Sequence, residues 1–155
     1  PEAKRMAAKL GISGRATCVG FVPRERVPLY YAACDVFAFP STTETQGLSV
    51  LEALAHGLPA VTVNVNGAGE LVSHGRDGFI VPPEVESFSA ALLSLLSDED
   101  LRRRMGEAGR RKGEEFSSRR QAERLAEIYR GVIERLKYSA KRGAKGAGRE
   151  RDGPP

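Results

Sequence analysis

Residues 35–65, DVFAFPSTTETQGLSVLEALAHGLPAVTVNV, contain a short apolar run at each end and a longer one between them. The end runs, DVFAFP and PAVTVNV, show no alternation of polar and apolar residues, which is typical of strands covered by helices on both faces. The middle run, LSVLEALA, is followed by the helix stop signal HGLP, with Gly57 after the helix and Pro59 beyond it. Strand, helix and strand in this order predict a parallel sheet.

The same alternation extends to both sides of this stretch. The runs ATCVGFV and GFIVPP predict two further strands, and RERVPLYYAAC and GAGELVSHG predict helices between strands. After Pro83 the pattern predicts helices alone, over ESFSAALLSLLS, DEDLRRRMGEAGRRKGEEF and SSRRQAERLAEIYRGVIERLKY. We therefore predict an α/β domain with a Rossmann-like, doubly wound parallel sheet and flanking helices, followed by a helical C-terminal segment.

The last of these helices carries one apolar stripe. Its members recur at spacings of three and four residues: Leu125, Ile128, Tyr129, Val132, Ile133 and Leu136. Such a stripe predicts a helix that packs against another element.

The composition fits one ordinary domain, since 155 residues with 41% hydrophobic content can bury a sizeable core. No apolar run approaches the ~20 residues that span a bilayer, and no signal peptide pattern is present, so we expect a cytoplasmic protein. Cys18 and Cys34 lack metal-ligand spacing and are expected to be reduced thiols in the core. The first helical run, PEAKRMAAKLG, has no strand before it, and strands preceding Pro1 are therefore expected in a longer protein.

Residues 1–138 are predicted to form the domain and residues 139–155 a basic flexible tail. The tail, SAKRGAKGAGRERDGPP, holds five Lys/Arg against two Asp/Glu and has no apolar face. A solvated terminus is the favoured interpretation, and contact with anionic lipid headgroups is the alternative. Nucleic acid is not an expected partner, because the tail has no basic folded face and no aromatic residue interleaved with its charges.

Glu44 and Glu52 lie eight positions apart in the stretch quoted first. Glu52 interrupts an almost wholly apolar helix, which predicts burial, so its carboxylate needs hydrogen-bond donors. Either an Arg or Lys elsewhere in the chain or the hydroxyls of a ligand can supply them. Glu44 follows a strand that ends FAFP, at the carboxyl end of a parallel strand, where open α/β sheets bind ligands.

Gly47 opens the helix between the two glutamates. Without a side chain there, a ligand can approach the backbone N–H groups of Gly47, Leu48 and Ser49, and the helix dipole favours an anion such as phosphate. A carboxylate, an anion site and a second carboxylate in a row suit a sugar, a diphosphate and a ribose.

Four stretches between about Leu10 and Leu136 resemble, in their order and spacing, the retaining glycosyltransferases of the GT-B fold, grouped as family 4 and often labelled group 1. GFVPRERVPLYYAACDVFAFPS is similar to the base-binding loop, helix and strand of that family, and ETQGLSVLEALAHGLPAVTVNVNGAGELV to its E-x7-E signature and glycine loop. GRDGFIVPP resembles the following hairpin, and SSRRQAERLAEIYRGVI the closing helix. The chain would then be the C-terminal, donor-binding half of a GT-B fold.

The resemblance implies retaining transfer of a hexose from a nucleotide sugar to an acceptor hydroxyl, without a metal or other cofactor. The departing phosphate would serve as base, and the chain would supply no nucleophile. Glu44 is expected to contact the donor sugar hydroxyls and is the one residue assigned to catalysis, and Glu52 is expected to hold the ribose hydroxyls. The other donor-binding residues implied are Val22 and Pro23 near the base, Gly47 and Leu48 facing the diphosphate, and Gln46 and Ser49 in the same stretch.

The chain departs from the family pattern in two places. The usual loop GGxPE is NGAGE here, which keeps Gly67 and Glu70 as candidate donor-site residues, although capping of a short helix explains Glu70 equally well. The Arg/Lys loop that neutralises the pyrophosphate, and the acceptor domain, would precede Pro1. The chain alone is therefore expected to be inactive.

TETQGL, with Thr45 and Gln46, resembles the enzymes that place a sugar on diacylglycerol, which implies a UDP-glucose donor, a glycolipid product and peripheral contact with the inner face of the membrane. A noncatalytic nucleotide-sugar-binding or interaction module is the alternative function. A nucleic-acid binder is suggested only by the pI of 9.3 and would show a steep salt dependence.

Overall fold

The structure is a computed structural model that describes residues 2–43, 46–65 and 71–147. Its elements in chain order are helix α1 (Glu2–Lys9), a 3-10 turn (Arg24–Arg26), α2 (Val27–Ala32), β1 (Phe37–Phe39), α3 (Leu48–Ala55), β2 (Ala60–Val63), β3 (Gly78–Val81), α4 (Val85–Ser97), α5 (Glu99–Glu115) and α6 (Ser118–Ala147).

The three strands form one parallel sheet in the order β1-β2-β3. Phe37 lies opposite Ala60, and Ala60 lies opposite Gly78 in the next strand. Since β1 and β2 are parallel and adjacent, the chain must return between them, and α3 makes this crossover. The predicted α/β fold, with helices on both faces of a parallel sheet and helices at the C-terminal end, is confirmed.

The core lies on both faces of β2, which is buried along its whole length. Successive side chains of a strand point to opposite faces. On one face Ala60 packs with Leu54 of α3. On the other face Val61 packs with Leu95 of α4 and Met105 of α5. Leu54 and Leu95 are fully buried, and burial of each contributes about 1.5–3 kcal/mol to folding.

Helix α5 lies very close to α3, and the face of α5 at this contact carries glycines, because larger residues would clash. The residues on this face are Gly106, Gly109 and Gly113. A Cβ at Gly113 would lie 2.5 Å from the Cβ of Ala55, and a Cβ at Gly106 would meet the carbonyl oxygen of Gly57. Spacings of three and four residues place all three glycines on one side of the helix. The absence of side chains there lets α5 hold α3 against the sheet.

We predict that Gly113→Ala lowers the free energy of unfolding by about 1–3 kcal/mol, because the new methyl group overpacks the α3–α5 contact. Urea unfolding followed by circular dichroism measures the change. Gly131→Ala on α6 is the matched control, because no atom lies within 4 Å of a Cβ at that position. The control is expected to leave stability unchanged or to raise it by up to ~1 kcal/mol through helix propensity. Equal stabilities of the two variants would contradict the close packing.

A buried ion pair ties α5 to the segment before β3. The Lys112 ammonium lies 2.6 Å from Oδ2 of Asp77 and also donates to the Leu71 carbonyl and the Ser73 hydroxyl, each at 2.8 Å. Oδ1 of Asp77 accepts from the backbone N–H of Ser73 at 2.8 Å. Asp77 is only 1% exposed, and these donors replace the water that a buried carboxylate loses. One cation thus anchors the chain between Leu71 and Asp77.

Lys112→Met is predicted to destabilise the fold by about 3–5 kcal/mol, because it leaves a buried carboxylate without its cation. Adding Asp77→Asn to Lys112→Met should recover part of this loss, since the unpaired charge is then removed. The exposed Lys137→Met on α6 serves as the control for loss of one lysine. Thermal unfolding distinguishes the variants, and a Lys112→Met protein as stable as Lys137→Met would refute the role of the pair.

The predicted strand ATCVGFV is not a strand in the structure. Its residues run as irregular chain, with Val19 52% and Phe21 93% exposed. A strand needs a neighbour to accept its ladder of hydrogen bonds, and within the described residues β1 pairs only with β2. Cys18 belongs to this irregular segment and lies at the surface. Cys34, just beyond α2, is also exposed. The prediction that both thiols belong to the core was wrong.

Two other predictions meet the structure only in part. Of the helix predicted over GAGELVSHG, residues 67–70 lie outside the described residues, and His74 forms a bridge to Gly78 instead of a helical turn. The predicted tail begins at residue 139, yet α6 continues to Ala147. The division into domain and tail stays a prediction, because residues 148–155 also lie outside the described part.

The apolar stripe of α6 does not pack against the described part of the chain. Its six residues, Leu125, Ile128, Tyr129, Val132, Ile133 and Leu136, are between 47% and 64% exposed. α6 is joined to α5 near its start, where the Gln121 side chain donates to the Glu115 carbonyl. The stripe begins beyond this junction, so no described element covers it. No described helix is long and apolar enough to cross a membrane.

Candidate functional site

The carboxyl ends of the three parallel strands meet at one edge of the sheet, and this edge is concave. A cavity of about 200 Å³ opens there. It is lined by residues that follow β1, end β2 and follow β3: Pro40 and Thr42, Val63, and Pro83 and Glu84, with Phe88 of α4 behind them. Ligands of Rossmann-like sheets bind at the carboxyl edge. The stretch 40–47, which follows β1, leaves the sheet at this edge.

Gly47 begins α3 in the left-handed conformation, with φ 60° and ψ 29°. A side chain is strained there, so the sequence places glycine at the turn. The Gly47 carbonyl accepts the first helical bonds, from the N–H groups of Val50 and Leu51. Within the described residues, the N–H groups of Gly47, Leu48 and Ser49 donate no hydrogen bond to protein. These donors lie at the positive end of the helix dipole, where the sequence predicts an anion site, and that role stays a prediction.

Glu52 lies on the exposed face of α3. The prediction that α3 is buried on nearly every face was wrong: Val50, Ala53 and Leu54 are buried, whereas Leu48 is 60% exposed. The helix rests on the sheet and on α5 with one side only, which leaves the other side open. Among the described residues no Arg or Lys forms an ion pair with Glu52, so the alternative of a structural ion pair finds no support there.

The described partner of the Glu52 carboxylate is Tyr31 of α2. Its hydroxyl lies 3.3 Å from Oε2 of Glu52 and 3.4 Å from the carbonyl oxygen of Ser49. Burial, followed by the negative charge of Glu52 and the hydrogen bond to it, raises the pKa of Tyr31 to about 12. The neutral hydroxyl is therefore the donor at physiological pH.

No motif in the sequence marks Tyr31 as a site residue. The sequence shows only that this tyrosine lies in the helix before the strand that ends at the site. His56, at the end of α3, lies beside it: the ring centroids are 5.0 Å apart, and His56 Nδ1 lies 2.8 Å from the Glu52 carbonyl oxygen. Because a carbonyl only accepts hydrogen bonds, Nδ1 is the donor. His56 therefore caps the C-terminal end of α3.

We predict that one tyrosine of the folded chain ionises near pH 12 and that Tyr31→Phe removes this component. The folded pKa exceeds the ordinary value of 10.0, so the stability linked to the neutral hydroxyl is present below pH 10 and is lost as the pH rises toward 12. Ultraviolet absorbance of tyrosinate, recorded against pH, measures the ionisation. Tyr30→Phe, at the exposed neighbouring residue, should keep the late component, and its loss in that variant would contradict the assignment.

The structure places five predicted donor-site residues on one loop and helix: Gln46, Gly47, Leu48, Ser49 and Glu52. Val22 and Pro23 lie in the segment before the 3-10 turn, where the Pro23 carbonyl accepts from the Arg26 N–H. They precede α2, the helix that carries Tyr31. Glu44, Thr45, Gly67 and Glu70 lie outside the described residues, and their roles stay predictions. The described residues contain no group of three or more His, Cys, Asp or Glu side chains arranged to hold a metal ion.

Comparison with known proteins adds sequence relatives to this geometry. Residues 2–112 match the family model of the glycosyl transferases group 1. The D-inositol 3-phosphate glycosyltransferase of Nocardia farcinica is 37% identical over 145 residues, which are 93% of this chain and 32% of that protein. A GDP-mannose-dependent alpha-(1-6)-phosphatidylinositol monomannoside mannosyltransferase of Mycolicibacterium smegmatis is 35% identical over 137 residues, 83% of this chain and 36% of that protein. The chain thus spans about a third of the length of these curated relatives.

Solved structures share the fold. HepE of Anabaena, in complex with UDP, has a TM-score of 0.75 and 28% identity, and the match covers 84% of this chain and 36% of that chain. The same protein in complex with UDP-glucose gives a TM-score of 0.74. These neighbours are GT-B glycosyltransferases, which confirms the fold implied by the sequence motifs.

Proposed function

The chain belongs to the group 1 glycosyl transferases, and from this membership we propose that it binds a nucleoside diphosphate sugar for retaining transfer of the sugar to an acceptor hydroxyl. The start of α3 carries the proposal. The N–H groups of Gly47, Leu48 and Ser49, which donate to no described residue, suit the diphosphate, and Glu52, further along the exposed face of the same helix, suits the ribose hydroxyls.

The remaining donor contacts follow from the family motifs. Glu44, in the loop before α3, would contact the sugar hydroxyls and is the proposed catalytic residue, with Gln46 beside it. Val22 and Pro23 would lie near the base. Gly67 and Glu70 would approach the donor from the loop after β2. The departing phosphate would act as base, so that neither a metal nor a nucleophile of this chain is required.

The proposed donor is UDP-glucose, with support from the structural neighbour that binds UDP and UDP-glucose. GDP-mannose is the competing donor, because it is named for a relative of 35% identity. The proposed acceptor is a lipid-linked or other polyol hydroxyl, since named relatives act on phosphatidylinositol monomannoside and D-inositol 3-phosphate. The diacylglycerol type, with contact between the basic tail and anionic lipid at the inner face of the membrane, is a narrower proposal that rests on Thr45 and Gln46.

The test is nucleotide binding by the chain, measured by calorimetry with UDP, UDP-glucose, GDP and GDP-mannose. Glu52→Gln is expected to weaken binding of the preferred nucleotide by roughly tenfold to a hundredfold, because each hydrogen bond to a charged group contributes about 1.5–3 kcal/mol. Glu107→Gln, an exposed carboxylate of α5, is the control and should leave affinity unchanged. No binding by the intact protein that contains this chain, or equal affinities of the two variants, would refute the proposed site.

Transfer itself distinguishes the enzyme from a noncatalytic nucleotide-sugar-binding module. The intact protein that contains this chain is expected to transfer the sugar with retention of its anomeric configuration, which nuclear magnetic resonance of the product determines. Nucleotide-sugar binding without transfer to any lipid or polyol acceptor would favour the module.

A further inference from the structure

We propose that Tyr31 is a positioning residue that holds the Glu52 carboxylate in the orientation required by the ribose hydroxyls of the donor. The inference rests on the proposed function, since it assigns Tyr31 a role through Glu52. The contact joins two helices: Tyr31 comes from α2 and Glu52 from α3, with β1 between them in the chain.

The hydroxyl of Tyr31 is placed to bind one carboxylate oxygen and leave the other free. It lies 3.3 Å from Oε2 of Glu52 and 3.4 Å from the Ser49 carbonyl oxygen. Ser49 and Glu52 are three residues apart, so both acceptors lie on one face of α3. A tyrosine hydroxyl has a single proton to donate, and the charged carboxylate is the stronger acceptor. Oε1 of Glu52 therefore remains available to a ligand.

The ring of Tyr31 is itself held in place. Phe37 of β1 meets it edge-on, with ring centroids 5.9 Å apart, and His56 lies on another side at 5.0 Å. His56 is anchored in turn by the bond from Nδ1 to the Glu52 carbonyl. The hydroxyl position is thus fixed by contacts from the sheet and from the end of α3.

The Glu52 side chain benefits from a partner that restricts its rotamers. Its side chain is exposed, and within the described residues Tyr31 is its one side-chain hydrogen-bond partner. A free glutamate would have to lose rotamer freedom when a ligand binds, which lowers affinity. Fixing the carboxylate before the donor arrives removes part of this cost. The benefit should therefore appear only with ligands that have ribose hydroxyls.

The experiment compares UDP with 2′,3′-dideoxy-UDP, and GDP with 2′,3′-dideoxy-GDP, by calorimetry on the full chain. Tyr31→Phe keeps the ring and its packing and removes the hydroxyl alone. We expect it to weaken binding of the ribose nucleotide by about threefold to tenfold and to leave binding of the dideoxy nucleotide unchanged. Tyr30→Phe, one residue earlier and exposed, should change neither affinity. Unfolding curves for all variants confirm that the fold is retained.

The outcomes separate this inference from the proposed function. If Tyr31→Phe weakens both ligands of a pair equally, or neither, Tyr31 does not act through the ribose contact and the inference falls. The proposed function still stands in that case, provided Glu52→Gln weakens the ribose nucleotide selectively. If Glu52→Gln has no effect, or the intact protein that contains this chain binds no nucleotide, the proposed function falls and the inference with it. In the double variant, the Tyr31→Phe effect should disappear once Glu52 is Gln.

Discussion

The close contact between α3 and α5 is the constraint on which the position of the site depends. α3 begins at the carboxyl edge of the sheet and buries Val50 and Leu54 toward β2. Its outer end is held by the glycine face of α5, where Gly113 leaves room for Ala55. A helix so fixed at both ends cannot shift along the sheet without overlapping backbone atoms. This packing therefore sets the position of the N–H groups at the start of α3 relative to the edge of the sheet.

The division of α3 into a buried and an exposed face allows one short helix to serve both folding and binding. Val50, Ala53 and Leu54 fill the core, and the opposite face keeps Glu52 accessible. Carboxylate oxygens accept hydrogen bonds from hydroxyl groups, and exposure leaves Glu52 able to do so. Tyr31 restrains this carboxylate without neutralising it, because a hydroxyl donates a hydrogen bond but carries no positive charge.

The connection between β2 and β3 is held by an ion pair and hydrogen bonds instead of by close packing. Lys112 of α5 binds the Leu71 carbonyl and pairs with Asp77 just before β3. Helix α5 thus holds α3 through close packing and the Leu71–Asp77 segment through a charge, so one helix positions parts of both connections between neighbouring strands.

The sequence by itself determined the order from β1 through α3 to β2 and β3, the three helices after Pro83, the parallel sheet, the start of α3 at Gly47 and its end before Gly57, and the family. These depend on local patterns: unbroken apolar runs, helical periodicity, glycine at left-handed positions and the spacing of the two signature glutamates. Each can be recognised from neighbouring residues alone. The anion-binding start of α3 could be proposed from sequence for the same reason.

Only the tertiary structure decided which faces are covered. It exposed Glu52, although its apolar neighbours predicted burial, because just one side of α3 meets the sheet and α5. Within the described residues, it left ATCVGFV without a pairing partner and the apolar stripe of α6 without a neighbour. It also brought Tyr31 to Glu52 and Lys112 to Asp77, pairs that are far apart in the chain. Periodicity shows that a side chain is apolar or charged, but the residue it meets depends on how distant segments pack, and that information is present only in the folded chain.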